Sequence, residues 1–235
     1  MLNNFFHHPM VRRLRTVARK LGILGILKPI LARRQRSYEE AFHEALKSAV
    51  SSGDIVWDVG ANVGLYTCHF LDWSGETGRV VAFEPLPMAF AELGRTLAAH
   101  PGGSRAQLLN VAVADRAGQA MFTGDLEDAD VTKTAHLAEQ GEGGIPVDVI
   151  TADMAMNERG VPPPTVVKID VEGFEEDVLR GGAAAFGAST CRHVLVEMHF
   201  SRMDERGLGD SASRIVRMLD DWGYRVRWVD PSHLH

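Results

Sequence analysis

The run Ile55-Val-Trp-Asp58-Val59-Gly60-Ala61-Asn62-Val63-Gly64, with Val80-Val-Ala-Phe83-Glu84 after it, restricts the fold more than any other part of the chain. Ile55 to Val59 predicts a strand, the glycines a turn into a helix, and Arg79 to Phe83 a second strand ending on a lone carboxylate. A doubly wound sheet holds nucleoside ligands beyond the carboxyl ends of such strands. An acid about twenty residues past the glycines then faces the ribose hydroxyls.

Which nucleoside depends on the middle of the loop. In the dinucleotide fingerprint the second glycine lets a pyrophosphate approach bare backbone. Here that place is Asn62, whose side chain stands where a phosphate would come. S-adenosylmethionine has no phosphate; it needs a short carboxylate such as Asp58 for its ammonium, amides near the helix start for its carboxylate, and glycines where it touches backbone. Two other classes stay open: an NAD-dependent oxidoreductase, which shares the fold and Glu84, and a non-catalytic membrane-associated adaptor with a vestigial pocket.

At 235 residues and 45% apolar content the chain can bury a full core, and one α/β domain is the expected count. The boundaries read from the pattern are 1–52, a basic helical extension, and 53–235, the cofactor-binding domain. Residues 1–38 hold nine Lys or Arg and no acid; the whole chain carries −6, so the remainder carries −15 against the arm's +9. An acidic body argues against wrapping a nucleic-acid backbone. In the arm, Arg12, Arg15 and Arg19 fall on one helical face and Val11, Leu14, Ala18 and Leu21 on another. That pattern fits a peripheral membrane contact, but a helix packed on its own domain or on a dimer mate, with a solvated basic face, is the preferred reading. Leu21 to Leu27 is too short to span a bilayer, and no convincing cleavage site follows. Cys68 and Cys191 are far apart without metal-ligand spacing, which predicts buried thiols in a reducing cytoplasm.

Along the rest of the chain, Ser37–Ser51 reads as a helix with Phe42, Leu46, Ala49 and Val50 on one side, expected over the pocket entrance. A helix is expected from Asn62 to Trp73, with Val63, Thr67, Phe70 and Leu71 inward. Pro87 opens another, with Phe90, Leu93 and Leu97 sharing a face. Leu108–Val113, Gln119–Thr123, Pro146–Ile150, Val166–Ile169, His193–Met198 and Tyr224–Val229 read as strands. Phe174–Leu179 reads as a helix, as does a segment capped by Asp210 or Ser211 and lined by Ile215, Leu219 and Trp222. The polar, glycine-rich stretch Asp125–Gly144 is the expected substrate lid.

Five landmarks follow one another: Asp58-Val-Gly-Ala-Asn-Val-Gly64, Phe83-Glu84-Pro85, Asn110-Val-Ala-Val-Ala-Asp115, Lys168-Ile-Asp170-Val-Glu172-Gly-Phe-Glu175 and Glu197-Met-His199. Together they resemble the FkbM family of S-adenosylmethionine-dependent methyltransferases. The resemblance implies a class I, Rossmann-like methyltransferase fold: a mostly parallel, seven-stranded sheet flanked by helices, acting on oxygen of small metabolites or carbohydrates. It implies Glu84 on the ribose, Pro85 and Leu86 beside the adenine, and Asn110 to Val113, with Ala112, closing the other side of the ring. Asp58, Gly60, Ala61, Asn62 and Gly64 would hold the methionine part. Such folds generally end in a hairpin, whereas this sequence stops six residues after Val229.

The expected chemistry sits on Asp170, Glu172 and His199. Asp170 and Glu172 follow one strand, and Glu197 and His199 end its neighbour, so all four can face one crevice. His199 could act as general base. Alternatively Asp170, Glu197 and His199 could bind Mg²⁺ or Mn²⁺, as acids after the corresponding strands do in catechol O-methyltransferases. A purely structural reading has Glu172 on backbone amides and Glu197 paired with Lys168 or Arg192. Glu175 and Glu176 read as first-turn acids meeting a helix dipole.

Overall fold

A computed structural model describes residues 40–123, 136–138 and 144–228. Residues 40–49 are helical. The chain then runs through β1 (Ile55–Val59), α1 (Leu65–Trp73), β2 (Arg79–Phe83), α2 (Pro87–Ala99), β3 (Ala106–Leu109) and β4 (Ala112–Val113). Next come β5 (Gly118–Thr123), β6 (His136–Ala138), β7 (Ile145–Ile150), α3 (Ala152–Arg159) and β8 (Val166–Ile169). The last elements are α4 (Glu175–Arg180), α5 (Ala183–Phe186), β9 (His193–Val196), α6 (Phe200–Glu205) and α7 (Ser211–Asp221).

The central sheet has the order β3-β2-β1-β8-β9 with every pair parallel. This is the doubly wound arrangement, in which the order reverses between β1 and β8 and opens a crevice at their carboxyl ends. β1, β2 and β8 are short, almost wholly buried runs, apolar but for Asp58, Lys168 and the exposed Arg79, as expected of strands covered on both faces. Register does the positioning. Val59 lies beside Phe83 and Ile169, and Ile169 beside Val196. The next residue of each strand, Gly60, Glu84, Asp170 and Glu197, therefore falls in one row along the sheet's carboxyl edge.

Trp57 anchors the core under that edge. It is fully buried against Phe83 and Phe186, with ring centroids 5.2 and 5.9 Å away. Its indole N–H donates to the Pro162 carbonyl at 2.9 Å, which satisfies the one polar group the ring takes inside. At the opposite edge, buried Asp54 accepts from Arg192 at 2.8 and 2.9 Å and from Thr165 Oγ1 at 2.8 Å. This fastens together the starts of β1, β8 and β9.

A second sheet, β4-β7-β5-β6, is mixed: β7 pairs parallel with β4 and antiparallel with β5, and β5 pairs antiparallel with β6. Phe122 of β5 packs on Leu86 and Ala89, which brings this sheet against the loop after β2. Leu46–Arg227 form one compact unit, and residues 1–45 with 228–235 belong to another. The basic arm lies outside the described residues, as does the expected lid apart from 136–138 and Gly144. No described helix is long and apolar enough to cross a membrane.

Several expectations change. The seven-stranded sheet becomes five parallel strands and a separate four-stranded sheet among the described residues. The reason is visible at Leu108–Val113, where the chain leaves β3 at Leu109 and re-forms as β4 in the other sheet. The helix expected from Asn62 starts at Leu65, because Asn62 and Gly64 take positive φ of 51° and 93°. Val63 is consequently exposed rather than inward. β9 stops at Val196, so His199 caps α6 instead of alternating along a strand with Glu197. Tyr224 to Trp228 form no strand; the Tyr224 hydroxyl instead donates to the Phe186 and Cys191 carbonyls at 2.6 and 2.7 Å. Cys191 is buried and Cys68 only half-buried, and both are free thiols.

Candidate functional site

The crevice at the carboxyl edge holds about 720 Å³ of empty space, part of it open solvent. It is lined by the glycine loop (Gly60, Asn62), by Glu84, Pro85 and Leu86, by Val111 to Val113, by Phe122 and by Asp170, Val171 and Glu172. One wall is thus apolar and comes partly from the second sheet. The other is polar and comes from the strand ends.

The glycine loop is held from three sides. The Gly60 and Ala61 amides both donate to the Phe83 carbonyl at 3.0 Å, and the Asn62 amide donates to Glu84 Oε2 at 2.8 Å. A Cβ on Gly60 would fall 1.8 Å from the Asp170 carbonyl oxygen. Only glycine permits that contact, and with it the close approach of the loop to β8. With these amides engaged, the loop has lost three of the donors that a pyrophosphate would use at such a turn. Asn62 itself lines the crevice, and its Oδ1 is buried without a hydrogen-bond partner.

Glu84 is buried, and its second oxygen accepts the Leu86 amide at 2.9 Å. Burial pushes its pKa up to about 7, against the lowering effect of the Leu86 and Asn62 amides. Asn110, exposed beside it, donates through Nδ2 to the Glu84 and Pro85 carbonyls at 2.8 and 2.9 Å and so fixes the turn on which Glu84 sits.

Asp58 is placed differently from the sequence expectation. It is fully buried; Thr67 Oγ1 donates to one oxygen at 2.7 Å and Lys168 Nζ to the other at 3.1 Å. The pairing follows from register, because Asp58 and Lys168 are neighbours on β1 and β8. Asp58 therefore lies beneath the loop, and Asp58, Ala61, Gly64 and Asn110 do not line the crevice. Lys168 is the residue that sequence reasoning undervalued. Its buried ammonium also reaches the Gly60 carbonyl at 3.1 Å and Asp170 Oδ2 at 3.4 Å. Burial opposes its charge, but Asp58 and Asp170 outweigh that and raise its pKa. One cation thereby ties the glycine loop to the end of β8.

Beyond β8 the chain turns sharply, with Glu172 and Gly173 at φ 53° and 97°. The left-handed conformation costs a non-glycine residue about 1–2 kcal/mol. Here it accompanies a convergence: Asp170 Oδ1 and Glu172 Oε1 lie 3.7 and 3.6 Å from His199 Nε2. The other ring nitrogen, Nδ1, is 2.7 Å from Glu175 Oε1. Burial acts to lower the His199 pKa, yet the Glu175 hydrogen bond and the Glu175, Glu172 and Asp170 charges hold it at about 9. At neutral pH the ring thus carries a proton and is poorly suited to be the general base that the sequence suggested. Glu172 is pushed upward, mainly by burial.

Glu175 and Glu176 are more than first-turn acids. Both are buried. Glu175 holds His199, and Glu176 accepts from Arg214 at 2.7 Å through both oxygens and from Ser211 at 2.6 Å. Lys168, one of the partners expected for Glu197, pairs with Asp58 and Asp170, and Arg192, the other, pairs with Asp54.

The profile of the methyltransferase FkbM domain matches residues 58–226, most of the chain. This chain belongs to the FkbM methyltransferase family. It is 28% identical to hexuronic acid methyltransferase AglP of Haloferax volcanii over 193 residues, 81% of this chain and 74% of that protein. It is 31% identical to 31-O-demethyl-FK506 methyltransferase FkbM of Streptomyces tacrolimicus, covering 74% of each. A solved FkbM methyltransferase from Methylobacillus flagellatus KT aligns over 72% of this chain at 18% identity and TM-score 0.48, and this chain spans 38% of that one. The landmarks from Asp58 onward fall inside the matched segment.

Proposed function

We propose that the chain transfers the methyl group of S-adenosylmethionine to a hydroxyl oxygen of a small-molecule or carbohydrate acceptor, and that 53–235 is the catalytic domain with 1–52 an extension. The observation that carries this is the row of Gly60, Glu84 and Asp170 across the switch point, with the ribose acid at one end and the acidic cluster at the other. Glu84 accepts the ribose hydroxyls. Pro85, Leu86, Ala112 and Phe122 border the adenine. Gly60 and Asn62 lie along the methionine part, where the unpartnered Asn62 Oδ1 offers an acceptor to the ammonium. Asp58 acts through Lys168, holding the loop rather than the ligand.

Methyl transfer is an in-line displacement: the acceptor oxygen bonds to the methyl carbon as the carbon–sulfur bond breaks, leaving adenosylhomocysteine. The protein's task is to align the oxygen and shed its proton. Asp170, Glu172 and His199 stand where that oxygen arrives, and the proton passes to a carboxylate, since His199 is already charged at neutral pH. The relatives named for a hexuronic acid and for the 31-oxygen of FK506 support an oxygen acceptor.

Calorimetry with adenosylhomocysteine and with NAD⁺ tests the donor. Saturable binding of the first and none of the second is expected; the reverse overturns the reading. Labelled donor incubated with free and glycosidic uronic acids and hexoses, followed by mass spectrometry, then identifies the acceptor oxygen.

A further inference from the structure

We propose that Asp170, Glu172 and His199 bind one divalent cation of the Mg²⁺ or Mn²⁺ class, with Glu175 as the residue that positions the histidine. Each of the three offers one ligand atom, and these atoms all lie within 4.8 Å of one another. The separations of 3.6 and 3.7 Å between His199 Nε2 and the two carboxylate oxygens exceed hydrogen-bonding distance. Ligand atoms about 2.0–2.6 Å from a shared cation lie roughly 3–4 Å apart, which is the spacing of both histidine–carboxylate pairs here. A charged imidazole closing an ordinary salt bridge approaches to about 2.7–2.9 Å, and this ring does so on its other side, with Nδ1 2.7 Å from Glu175.

The outer oxygens of the two acids face other partners. Asp170 Oδ2 lies 3.4 Å from Lys168 Nζ, and Glu172 Oε2 lies 3.7 Å from Arg202 Nε. These outer cations leave Asp170 Oδ1 and Glu172 Oε1 to a common gap with Nε2. Glu175 supplies an independent observation. It is fully buried, Oε1 holds His199 Nδ1 and the Gly173 amide, and Oε2 has no hydrogen-bond partner. A carboxylate on the far nitrogen is the usual companion of a metal-ligating histidine: it accepts a hydrogen bond from Nδ1–H, which keeps the proton there and leaves Nε2 to face the metal. A nearby dication also offsets the cost of that unpartnered anionic oxygen.

Two carboxylate oxygens and one imidazole suit a hard ion that tolerates nitrogen, which favours Mn²⁺ and admits Mg²⁺. Three protein ligands leave coordination positions open, and Asp170 and Glu172 border the donor crevice. The acceptor class that fits offers two adjacent oxygens, as a sugar diol does. With the ion bound, the Nε2 proton is displaced to solvent, and a hydroxyl held by the ion is acidified so that its proton leaves to solvent in place of a ligating carboxylate. This use rests on the methyl-transfer reading; ion binding by itself does not.

Titrating the full chain with MnCl₂, followed by calorimetry and by the electron paramagnetic signal of free Mn²⁺, should give one saturable site. Asp170→Asn and Glu172→Gln should abolish it, and Glu175→Gln should weaken it about 10- to 100-fold. Mn²⁺ should also selectively broaden the His199 ring resonances of the unmodified protein, a readout independent of whether a variant folds. Absence of saturable binding, unbroadened His199 signals, or unchanged affinity in folded variants would reduce the site to an ion-pair cluster and overturn the proposal. Adenosylhomocysteine binding measured in parallel separates the two readings, since its loss in the unmodified protein defeats the donor assignment and not the metal site.

Discussion

On the proposed donor assignment, Glu84 couples donor binding to pH through its burial. Its folded pKa of about 7 is raised from 4.5, so the free protein takes up a proton between pH 4.5 and 7. That proton uptake favours the folded state below 4.5 and is lost as pH rises through 7. A ribose diol prefers the carboxylate as its acceptor, so binding must expel the proton at low pH. Affinity for adenosylhomocysteine should therefore rise from pH 6 to 8, by up to about tenfold per unit below pH 7, and flatten above it. Calorimetry on Glu84→Ala should find the Glu84 contribution to that slope gone and affinity lower by on the order of 100-fold, the worth of two charge-assisted hydrogen bonds. Glu84 was legible from spacing alone. Lys168 was not, because an ion pair with Asp58 across 110 residues depends on which strand lies beside β1, and local pattern does not carry that.

At the scale of elements, α4 and α7 are joined through Glu176, which accepts from Arg214, Ser211 and Arg180. The Arg214 hydrogen bonds lead in holding its pKa at about 2, below the usual 4.5. A depressed carboxylate stabilises the fold above the unfolded value and loses that contribution as pH falls from 4.5 toward 2. Glu176→Gln should cost up to about 3 kcal/mol at pH 7, by the size of the shift, and the gap from the unmodified protein should narrow as the pH of a denaturant titration is lowered to 3. The helix itself was readable from Phe174 to Leu179. The role of its acids was not: on a one-dimensional reading, acids in a first turn meet the dipole, whereas here the turn is buried against α7 and His199.

For the whole molecule, every described residue lining the crevice lies between Val59 and Glu172, inside the unit Leu46–Arg227. A chain lacking residues 1–39 should accordingly bind adenosylhomocysteine with unchanged affinity and stoichiometry by calorimetry. A tenfold loss would assign the basic arm a part in the donor site. Which parts of the architecture the chain betrayed follows the same logic. β1, β2 and β8 were read to the residue, because buried parallel strands are short apolar runs bounded by turn residues. The break of Leu108–Val113 into two strands was missed, since continuous apolar character says nothing about which sheet each half joins.

By itself the sequence determined the doubly wound class, the loop-and-acid pair Gly60 and Glu84, and the identity of the acids gathered after β8, because these depend on residue type and short-range spacing. Only the tertiary structure decided that Asp58 is held by Lys168 beneath the loop, that Phe122 walls the crevice from a second sheet, and that Glu172 rather than Glu197 faces Asp170 and His199. The physical reason is common to all three. Strand order and a left-handed turn set contacts between residues distant in sequence, and their energies come from burial and register that no local window contains.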